Sequence, residues 1–305
     1  MVKPAYVAVD WGTSSFRLWL IGNDGSVLDE RRSNEGMVAA ATTGFGTVLA
    51  NHREAVLAPA DLPVIICGMA GARQGWVEAG YIDVPAALST IPFAAARVPD
   101  ATADIRILPG LAQRDRAHPD VIRGEETQLL GALADLPDGH SLVCMPGTHS
   151  KWVHVSDGMV TRFHTFMTGE LFDAVASHTI LKHSIADTGA VDGGSDAFRR
   201  AVEEVIRNPA TATSLLFGAR SGTLLHGLAP TDAKALISGT LIGLEIAGAL
   251  DAAEPGAPVV LVASGALGAL YESALDCAGV EPVIVDADIA VRAGLAVAAR
   301  SLWAL

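Results

Sequence analysis

Residues 7–20 read VAVDWGTSSFRLWL, and this stretch decides how the rest of the chain is interpreted. Two apolar segments flank a turn of four small residues, Gly12 to Ser15, and Asp10 stands at its entrance. A plain two-residue hairpin would use Asn-Gly or Asp-Gly, whereas this longer turn offers several backbone N–H groups and hydroxyls. Successive N–H groups can surround an anion, and the Asp10 carboxylate is available to hold a metal. The alternative is that Asp10 is an ordinary turn residue.

The same layout returns in the middle of the chain, in SLVCMPGTHSKWVHVSDGMVTRFHTFM at 141–167. Residues 7–33 and residues 141–167 both predict strand, Gly-Thr turn, strand, Asp-Gly turn and strand, with the Gly-Thr pairs at 12–13 and 147–148. We therefore expect two halves with the same three-stranded meander. Two such turns facing each other across a cleft could cradle a triphosphate. Phosphoryl transfer needs little more than positioned phosphates, a metal and a base.

Two further segments suit that chemistry. Glu125 opens a predicted helix and could accept the proton of a hydroxyl group. Glu125 and Glu126 could equally be ordinary first-turn acids, which the helix dipole favours. Ser264-Gly265-Ala266 lies at a predicted strand-to-helix corner, where small residues let a nucleotide base or ribose approach closely. These segments are therefore candidates for the base and for the nucleotide site.

Strand and helix patterns follow one another along the chain, which is typical of an α/β protein. A cluster of charge with Pro109, Gly110 and Pro119 indicates a boundary near residues 110–122. We predict an N-terminal domain of residues 1–115 that carries the first hairpin. The predicted C-terminal domain, residues 116–305, carries Glu125, the second hairpin and the segment at 264–266. The closing helix at about 290–305 is expected to pack back on the first domain.

Composition argues against several classes of partner. The formal net charge is −13 over 305 residues, without a run of five like charges, which argues against nucleic acid or an anionic membrane. The three cysteines are scattered, with no metal spacing or disulfide framework, as expected in a reducing compartment. The sequence has no signal-peptide pattern and no long uninterrupted apolar run. We expect a cytoplasmic protein that acts on a small molecule.

Four motifs resemble the actin/hexokinase/Hsp70 superfamily of nucleotide-binding proteins. They are DWGTSSFR at 10–17, GEETQLLG at 124–131, PGTHSKW at 146–152 and VASGALG at 262–268. The resemblance implies an α/β fold of two ribonuclease-H-like domains with a central cleft for nucleotide and substrate. It also implies that ATP and Mg²⁺ are used.

Within that superfamily, the chain is similar to the 2-dehydro-3-deoxygalactonokinase family almost from end to end. The matching segments are DWGTSSFRLW (10–19), CGMAGARQGW (67–76), RGEETQLLGA (123–132), PGTHSKWV (146–153), FMTGELF (166–172) and ISGTLIGLE (237–245). This implies ATP-dependent phosphorylation of the 6-hydroxyl of 2-dehydro-3-deoxy-D-galactonate, in galactonate catabolism, with a product that an aldolase would cleave. A kinase of the same fold acting on another sugar or keto-deoxy acid, and a non-catalytic sugar or nucleotide sensor, are the alternatives.

The superfamily resemblance also implies roles for single residues. Asp10 matches the acid of the first phosphate motif and is expected to hold Mg²⁺, since Pro146 stands where some members carry a second acid. Related kinases place Gly-Asp-Gln before the second hairpin, with the Asp as base; here Gly124-Glu125-Glu126 takes that place, and Glu125 is favoured over Glu126. The residues expected to bind ATP are Gly12, Thr13, Ser14, Gly147, Thr148, His149, Ser264, Gly265 and Ala266.

The implied substrate carries a carboxylate, which an arginine can hold with two parallel hydrogen bonds. The candidates are Arg73, for which the alternative is a solvated loop charge, and Arg17, which could instead pair with a neighbouring acid. Trp76 could stack on the sugar, with the protein core as its alternative. The remaining residues expected near the substrate are Glu35, Gly36 and Gln74.

Overall fold

A computed structural model describes residues 2–99, 101–185, 188–303 and 305. The chain forms two compact units. The first unit holds residues 1–136, 158–162 and 287–305, and the second holds residues 137–157 and 163–286. The chain therefore leaves the first unit and returns to it twice.

In the part of the chain that the structure describes, ten short strands precede residue 137. They are β1 (Pro4–Trp11), β2 (Phe16–Gly22), β3 (Val27–Ser33), β4 (Val64–Gly68), β5 (Tyr81–Asp83), β6 (Ala86–Ala87), β7 (Ala96–Arg97), β8 (Ile105–Ile107), β9 (Gly110–Gln113) and β10 (Asp120–Ile122). The main sheet has the order β3-β2-β1-β4-β8-β7, and β10, β9 and β5 form a small second sheet. β1 and β2 pair antiparallel, as do β2 and β3, whereas β1, β4 and β8 run parallel.

The helices of the first unit are α1 (Met37–Thr43), α2 (Phe45–Ala55), α3 (Glu125–Ala132) and α9 (Ala287–Trp303), with 3₁₀ turns at Met69–Gly71 and Leu88–Ala94. The sequence predicts a single helix at about 43–58, but Gly44 separates α1 from α2. Its φ of 94° is outside the helical range and is one that glycine adopts readily. The core packs Val7, Val9 and Trp11 of β1 against the helices.

The second unit contains the strands β11 (His140–Met145), β12 (Ser150–Ser156), β13 (Met159–Phe166), β14 (Val259–Ala263) and β15 (Val283–Asp286). Its helices are α4 (Thr168–His178), α5 (Asp196–Arg207), α6 (Ala212–His226), α7 (Pro230–Asp251) and α8 (Gly265–Cys277), and a 3₁₀ turn covers Ile180–Ser184. At its start, β13 pairs with β6 within the first unit.

The two units repeat one topology. The order β13-β12-β11-β14-β15 corresponds strand for strand to β3-β2-β1-β4-β8, and β11, β14 and β15 run parallel as β1, β4 and β8 do. A three-stranded meander followed by two parallel strands is the ribonuclease-H-like arrangement. The predicted fold class and the predicted repeat of the meander are therefore confirmed.

Residues 116–136, which the sequence analysis assigns to the second domain, lie in the first unit. The physical reason is the close crossing of α3 and α9. A Cβ on Gly131 would collide with Ala290 O, and a Cβ on Gly294 would collide with Thr127 O. Backbones that approach this closely hold α3 on the closing helix, so Glu125 belongs to the same unit as Asp10.

Within the described residues, α7 is the one helix long and apolar enough to cross a membrane. However, 67% of its apolar window is buried inside the protein. Ideal Cβ atoms on Gly239 and Gly243 would lie 2.5 Å from Phe198 O and 3.0 Å from Val202 Cα, so α7 packs directly on the backbone of α5. We therefore interpret α7 as a core helix.

Candidate active site

The first hairpin, Gly12–Ser15, is closed by its own backbone and clamped by the start of α1. The Gly12 N–H donates to Ser15 O at 2.9 Å. In turn, Gly12 O and Thr13 O accept hydrogen bonds of 2.9 and 3.1 Å from the first two N–H groups of α1. A Cβ on Gly36 would lie 2.5 Å from Thr13 O. Gly36 thus supports the hairpin by allowing the helix to touch its backbone.

Asp10 and Arg17 face each other across β1 and β2 and form a partly buried ion pair. Arg17 donates to Asp10 Oδ2 from Nε at 3.1 Å and from Nη2 at 2.5 Å, and the side chains are 20% and 17% exposed, respectively. Its Nη1 also pairs with Asp288 at the start of α9, which Arg32 contacts at 3.1 Å. The Arg17 guanidinium is therefore committed to two carboxylates, as the alternative for this residue anticipated.

These charges stabilise one another's ionised forms. Burial alone would lower the pKa of Arg17, but the carboxylates of Asp10 and Asp288 outweigh it, and the net pKa is raised. Burial alone would raise the pKa of Asp288, but Arg17 and Arg32 outweigh it, and the net pKa is lowered. The pairing fixes Oδ2 of Asp10 on the Arg17 side.

The two glutamates at the start of α3 have different surroundings. Glu126 is 0% exposed; its Oε2 accepts from the Gly124 N–H at 2.6 Å and its Oε1 from the Thr127 hydroxyl at 2.9 Å. Burial raises the pKa of Glu126 to about 8, and the neighbouring Glu125 adds to the rise. Glu125 is half-buried, and its Oε2 accepts from the Arg123 N–H at 2.9 Å. Glu125 is thus the more accessible of the two.

Cys67 and Gly68 connect Asp10 with the start of α3. β1 and β4 are parallel neighbours, so Asp10 and Gly68 lie at the same sheet edge. A Cβ on Gly68 would be 3.6 Å from Asp10 Oδ1, and one on Gly124 would be 3.5 Å from Gly68 Cα. The Cys67 thiol donates to Asp10 Oδ1 at 3.7 Å. Burial raises the pKa of this thiol, and the charges of Asp10 and Glu126 raise it further.

The predicted substrate residues in this unit differ in accessibility. The Arg73 side chain is 84% exposed, and its ion pair with Glu78 is long, with 3.8 Å between Arg73 Nε and Glu78 Oε1. Gln74 is also exposed. Trp76 is partly buried and stacks on Phe45 with ring centroids 6.2 Å apart, so it contributes to the core.

Glu35 supports the surroundings of the first hairpin. Its carboxylate contacts His52 Nε2 at 2.7 Å, and its backbone carbonyl accepts from the Trp11 indole at 3.0 Å. These contacts direct the Glu35 side chain toward α2, so Glu35 holds the segment that enters α1.

The second hairpin, Gly147–His149, is clamped in the same way as the first. A Cβ on Gly169 would lie 2.6 Å from Gly147 O, and the Glu170 N–H donates to Thr148 O at 3.0 Å. The His149 ring contacts the Glu170 carboxylate at 2.5 Å. Each hairpin is therefore held by a glycine at the start of the helix that follows its meander.

A mostly apolar cavity of about 230 Å³ opens beside the second hairpin. Its lining includes Gly147, Thr168, Gly169, Lys234, Leu267 and Tyr271. At the nearby strand-to-helix corner, the Ser264 hydroxyl donates to Asp286 at 3.0 Å, and Gly265 has a φ of +64°. Gly265 and Ala266 are exposed. Leu267, which directly follows Ala266, lines the cavity, so the corner adjoins it.

The described residues contain no group of three or more histidine, cysteine, aspartate or glutamate side chains placed to hold a metal ion. Asp10, the acid that the sequence analysis expects to hold Mg²⁺, has Oδ2 on Arg17 and Oδ1 near the Cys67 thiol. A Mg²⁺ ion bound through one carboxylate and phosphate oxygens is an ordinary arrangement in kinases. The residues present therefore fit a metal that arrives with a nucleotide.

Comparison with known proteins decides the family. The family model described as 2-keto-3-deoxy-galactonokinase matches residues 10–298. This chain belongs to that family. The chain is 64% identical over 300 residues to a protein of Rhizobium meliloti (strain 1021) named probable 2-dehydro-3-deoxygalactonokinase, covering 98% of each chain. It is 36% identical over 296 residues to the 2-dehydro-3-deoxygalactonokinase of Escherichia coli (strain K12), covering 95% of this chain and 96% of that one.

Solved structures agree with this family and fold. A crystal structure of a provisionally named 2-dehydro-3-deoxygalactonokinase from Sinorhizobium meliloti superposes with a TM-score of 0.96 at 64% identity, covering 98% of this chain and 100% of that one. Component A of (R)-2-hydroxyglutaryl-CoA dehydratase from Acidaminococcus fermentans has a TM-score of 0.52 at 15% identity, covering 98% of this chain and 100% of that one; it shares the fold alone. As a member of this kinase family, the chain is a phosphotransferase that uses a nucleotide.

The 2-keto-3-deoxy-galactonokinase fold gathers most of the predicted residues into two groups. In the first unit, Asp10, the Gly12–Ser14 turn and the start of α3 lie at one sheet edge; in the second, the Gly147–His149 turn adjoins the cavity. Sequence analysis missed the supporting residues Cys67 and Asp288. Cys67 stands in the quoted CGMAGARQGW motif, whereas no local signal marked Asp288.

Proposed function

We propose that this protein transfers the γ-phosphoryl group of ATP to the 6-hydroxyl of 2-dehydro-3-deoxy-D-galactonate, giving the 6-phosphate and ADP, in galactonate catabolism in the cytoplasm. The observation that carries the proposal is the 64% identity, over 98% of both chains, to the Rhizobium meliloti protein named probable 2-dehydro-3-deoxygalactonokinase. The presence of Asp10 and Glu125 at one sheet edge supports an active enzyme over a non-catalytic sensor.

Each hairpin would bind phosphate oxygens through its backbone N–H groups. Because Gly36 and Gly169 pack directly on the hairpin backbones, the hairpins are preorganised, and little conformational entropy would be lost when a polyphosphate binds. Asp10 would hold Mg²⁺, which neutralises charge on the phosphates when bound. Arg17 would orient the Asp10 carboxylate by occupying Oδ2.

Glu125 would act as the general base. Its carboxylate accepts the proton of the 6-hydroxyl while that oxygen attacks the γ-phosphorus, and the bond from the γ-phosphorus to the bridging oxygen of ADP breaks. Glu126 is unsuited to this role because it is buried and both its carboxyl oxygens already accept hydrogen bonds.

Arg73 would hold the substrate carboxylate. Arg17 is already engaged by Asp10 and Asp288, whereas the Arg73 guanidinium is exposed and only loosely paired. Gln74, its exposed neighbour, would bind a hydroxyl group. In the second unit, the cavity beside Gly147 would receive the nucleoside part of ATP.

The test is ADP release, measured with the galactonate-type and gluconate-type epimers of the keto-deoxy acid side by side. We expect the galactonate-type acid to be phosphorylated at the 6-hydroxyl with the higher kcat/KM. Faster turnover of the other epimer, or of a neutral sugar, would reassign the substrate. Phosphate release without any acceptor would indicate a nucleotide hydrolase.

Replacing Glu125 by Gln tests the base. We expect kcat to fall by about 10² to 10⁴-fold with ADP binding retained, because the amide cannot accept the proton. Glu126→Gln is the matched control and should keep most of the turnover. If instead E126Q is the inactive variant and E125Q turns over normally, the base assignment is wrong.

A further inference from the structure

The carboxyl group of Glu245 is buried in the second unit and has no part in the reaction described above. Glu245 is the last residue of the ISGTLIGLE segment (237–245) on α7, and it is 1% exposed. A buried carboxyl group is costly unless hydrogen bonds satisfy its oxygens. The groups that satisfy Glu245 indicate what it holds in place.

Four side chains hydrogen-bond to Glu245. The Trp152 indole donates to Oε1 at 2.8 Å, and the Tyr271 hydroxyl donates to Oε2 at 2.7 Å. The hydroxyls of Ser150 and Thr168 also bond to the carboxyl group. These partners lie on β12, α4 and α8, so one carboxyl group ties three elements to α7.

The same elements surround the second hairpin and its cavity. Ser150 directly follows His149, and Thr168 directly precedes Gly169, which packs on the hairpin. Thr168 and Tyr271 both line the cavity with Gly147. Ser150 also contacts the Tyr271 hydroxyl at 2.8 Å. Glu245 therefore stands directly behind the walls of this subsite.

The electrostatics favour a stable arrangement. Burial raises the pKa of Glu245, and the hydrogen bonds from Thr168, Trp152, Tyr271 and Ser150 oppose that rise. Burial also raises the pKa of Tyr271, so its hydroxyl stays protonated and can donate a hydrogen bond to Glu245. A fully satisfied network of this kind rigidifies the elements it joins.

We propose that Glu245 is a positioning residue for the nucleotide: it fixes the second hairpin and the cavity wall in the geometry that binds ATP. This inference rests on the proposed nucleotide site beside Gly147. Loss of the network should weaken nucleotide binding and leave recognition of the sugar acid, which involves residues of the first unit, almost unchanged.

The test compares E245Q with Tyr271→Phe, which keeps the aromatic wall but removes one donor. ADP affinity is measured by calorimetry, and kcat and KM are measured for both substrates. We expect E245Q to weaken ADP binding and raise KM for ATP by about tenfold or more, because the amide has one acceptor oxygen and cannot accept from both Trp152 and Tyr271. KM for the sugar acid should change less than about twofold. Y271F should shift the same constants in the same direction by a smaller factor.

Ser141→Ala is the matched control. Ser141 is buried on β11, and its hydroxyl has no hydrogen-bond partner among the described residues, so S141A should leave every constant unchanged. Folded E245Q with wild-type ADP affinity would overturn the inference, as would an equal rise in both KM values. If E245Q does not fold, wild-type ADP affinity in Y271F overturns it. Failure of the wild-type protein to bind ADP would instead refute the proposed function.

Discussion

Glu125 and Glu126 are adjacent in sequence, yet the fold gives them opposite surroundings. Successive helical residues point about 100° apart, so one side chain faces the interior when its neighbour reaches the surface. The interior position leaves Glu126 largely protonated at neutral pH, because its pKa is raised to about 8. The sequence predicts a carboxylate at this helix start but not which of the two is buried.

Glu126 should make the stability of the first unit pH-dependent. Its folded-state pKa lies above the unfolded value of 4.5, so between these values the native state binds an extra proton and rising pH destabilises it. From pH 5.5 to 7.5, wild type should lose up to about 2.7 kcal/mol more than E126Q, at about 1.36 kcal/mol per unit. Urea unfolding followed by tryptophan fluorescence measures this, since four of the five tryptophans lie in the first unit. Parallel pH profiles for the two proteins would contradict it.

Arg17 and Arg73 should respond differently to replacement by Met. Arg73→Met is expected to raise KM for the sugar acid about 10 to 100-fold, through loss of a charged hydrogen bond, with an unchanged melting temperature. Arg17→Met leaves Asp10 and Asp288 without their shared cation and should destabilise the protein by about 1–3 kcal/mol, between the values for exposed and buried pairs. Kinetics and thermal melts of both variants check this. Wild-type KM in Arg73→Met would remove Arg73 from the substrate site.

Local sequence signals predicted the hairpins well, because their turns depend on a few adjacent residues. The two apolar segments that flank the turn at Gly12–Ser15 form β1 and β2, as the hairpin pattern predicts. Contacts distant in sequence left no such signal: Arg17 meets Asp288 across 271 positions. Likewise, the sequence shows Glu245 only as a polar residue in an apolar helix. Its hydrogen-bond partners lie on α4, α8 and β12, which are far away in sequence.

The helices that follow the two meanders, α1 and α4, act as clamps on the hairpins. Gly36 and Gly169 should therefore not tolerate a methyl group, since the added Cβ would stand 2.5–2.6 Å from the hairpin backbone. We expect Gly36→Ala and Gly169→Ala to lose about 1–3 kcal/mol of stability and at least about tenfold in kcat/KM for ATP. Melting curves and steady-state kinetics measure both effects.

Gly218→Ala is the matched control for these clamps. Gly218 lies inside α6 with open space around its Cα, so Ala should be neutral or stabilise the helix by about 0.5–1 kcal/mol. The clamp interpretation fails if the two clamp variants are as active and stable as G218A.

The two units are separate cores built from interrupted segments of one chain. Because α9 packs on β1 and β4 within the first unit, Leu295→Ala should loosen these two strands, which are far away in sequence. Leu275→Ala on α8 is the matched change in the second unit, and both side chains are fully buried. Each variant should cost about 2–5 kcal/mol. Hydrogen exchange measured by mass spectrometry should show faster exchange in 1–136 for L295A and in 163–286 for L275A; exchange in the opposite pattern would contradict this division.

The return of α9 to the first unit has a consequence for biosynthesis. A ribosome makes residues 1–136 first, but the last helix of their unit, α9, is made only after residues 137–286 have been translated. At about 5–20 residues per second, that wait lasts roughly 8–30 s. The second unit has its full set of strands and helices before the first does, so the nascent chain completes its later half first. During that interval the faces of Gly131 and Thr127 that α9 will cover are exposed, and they are where a chaperone would be needed.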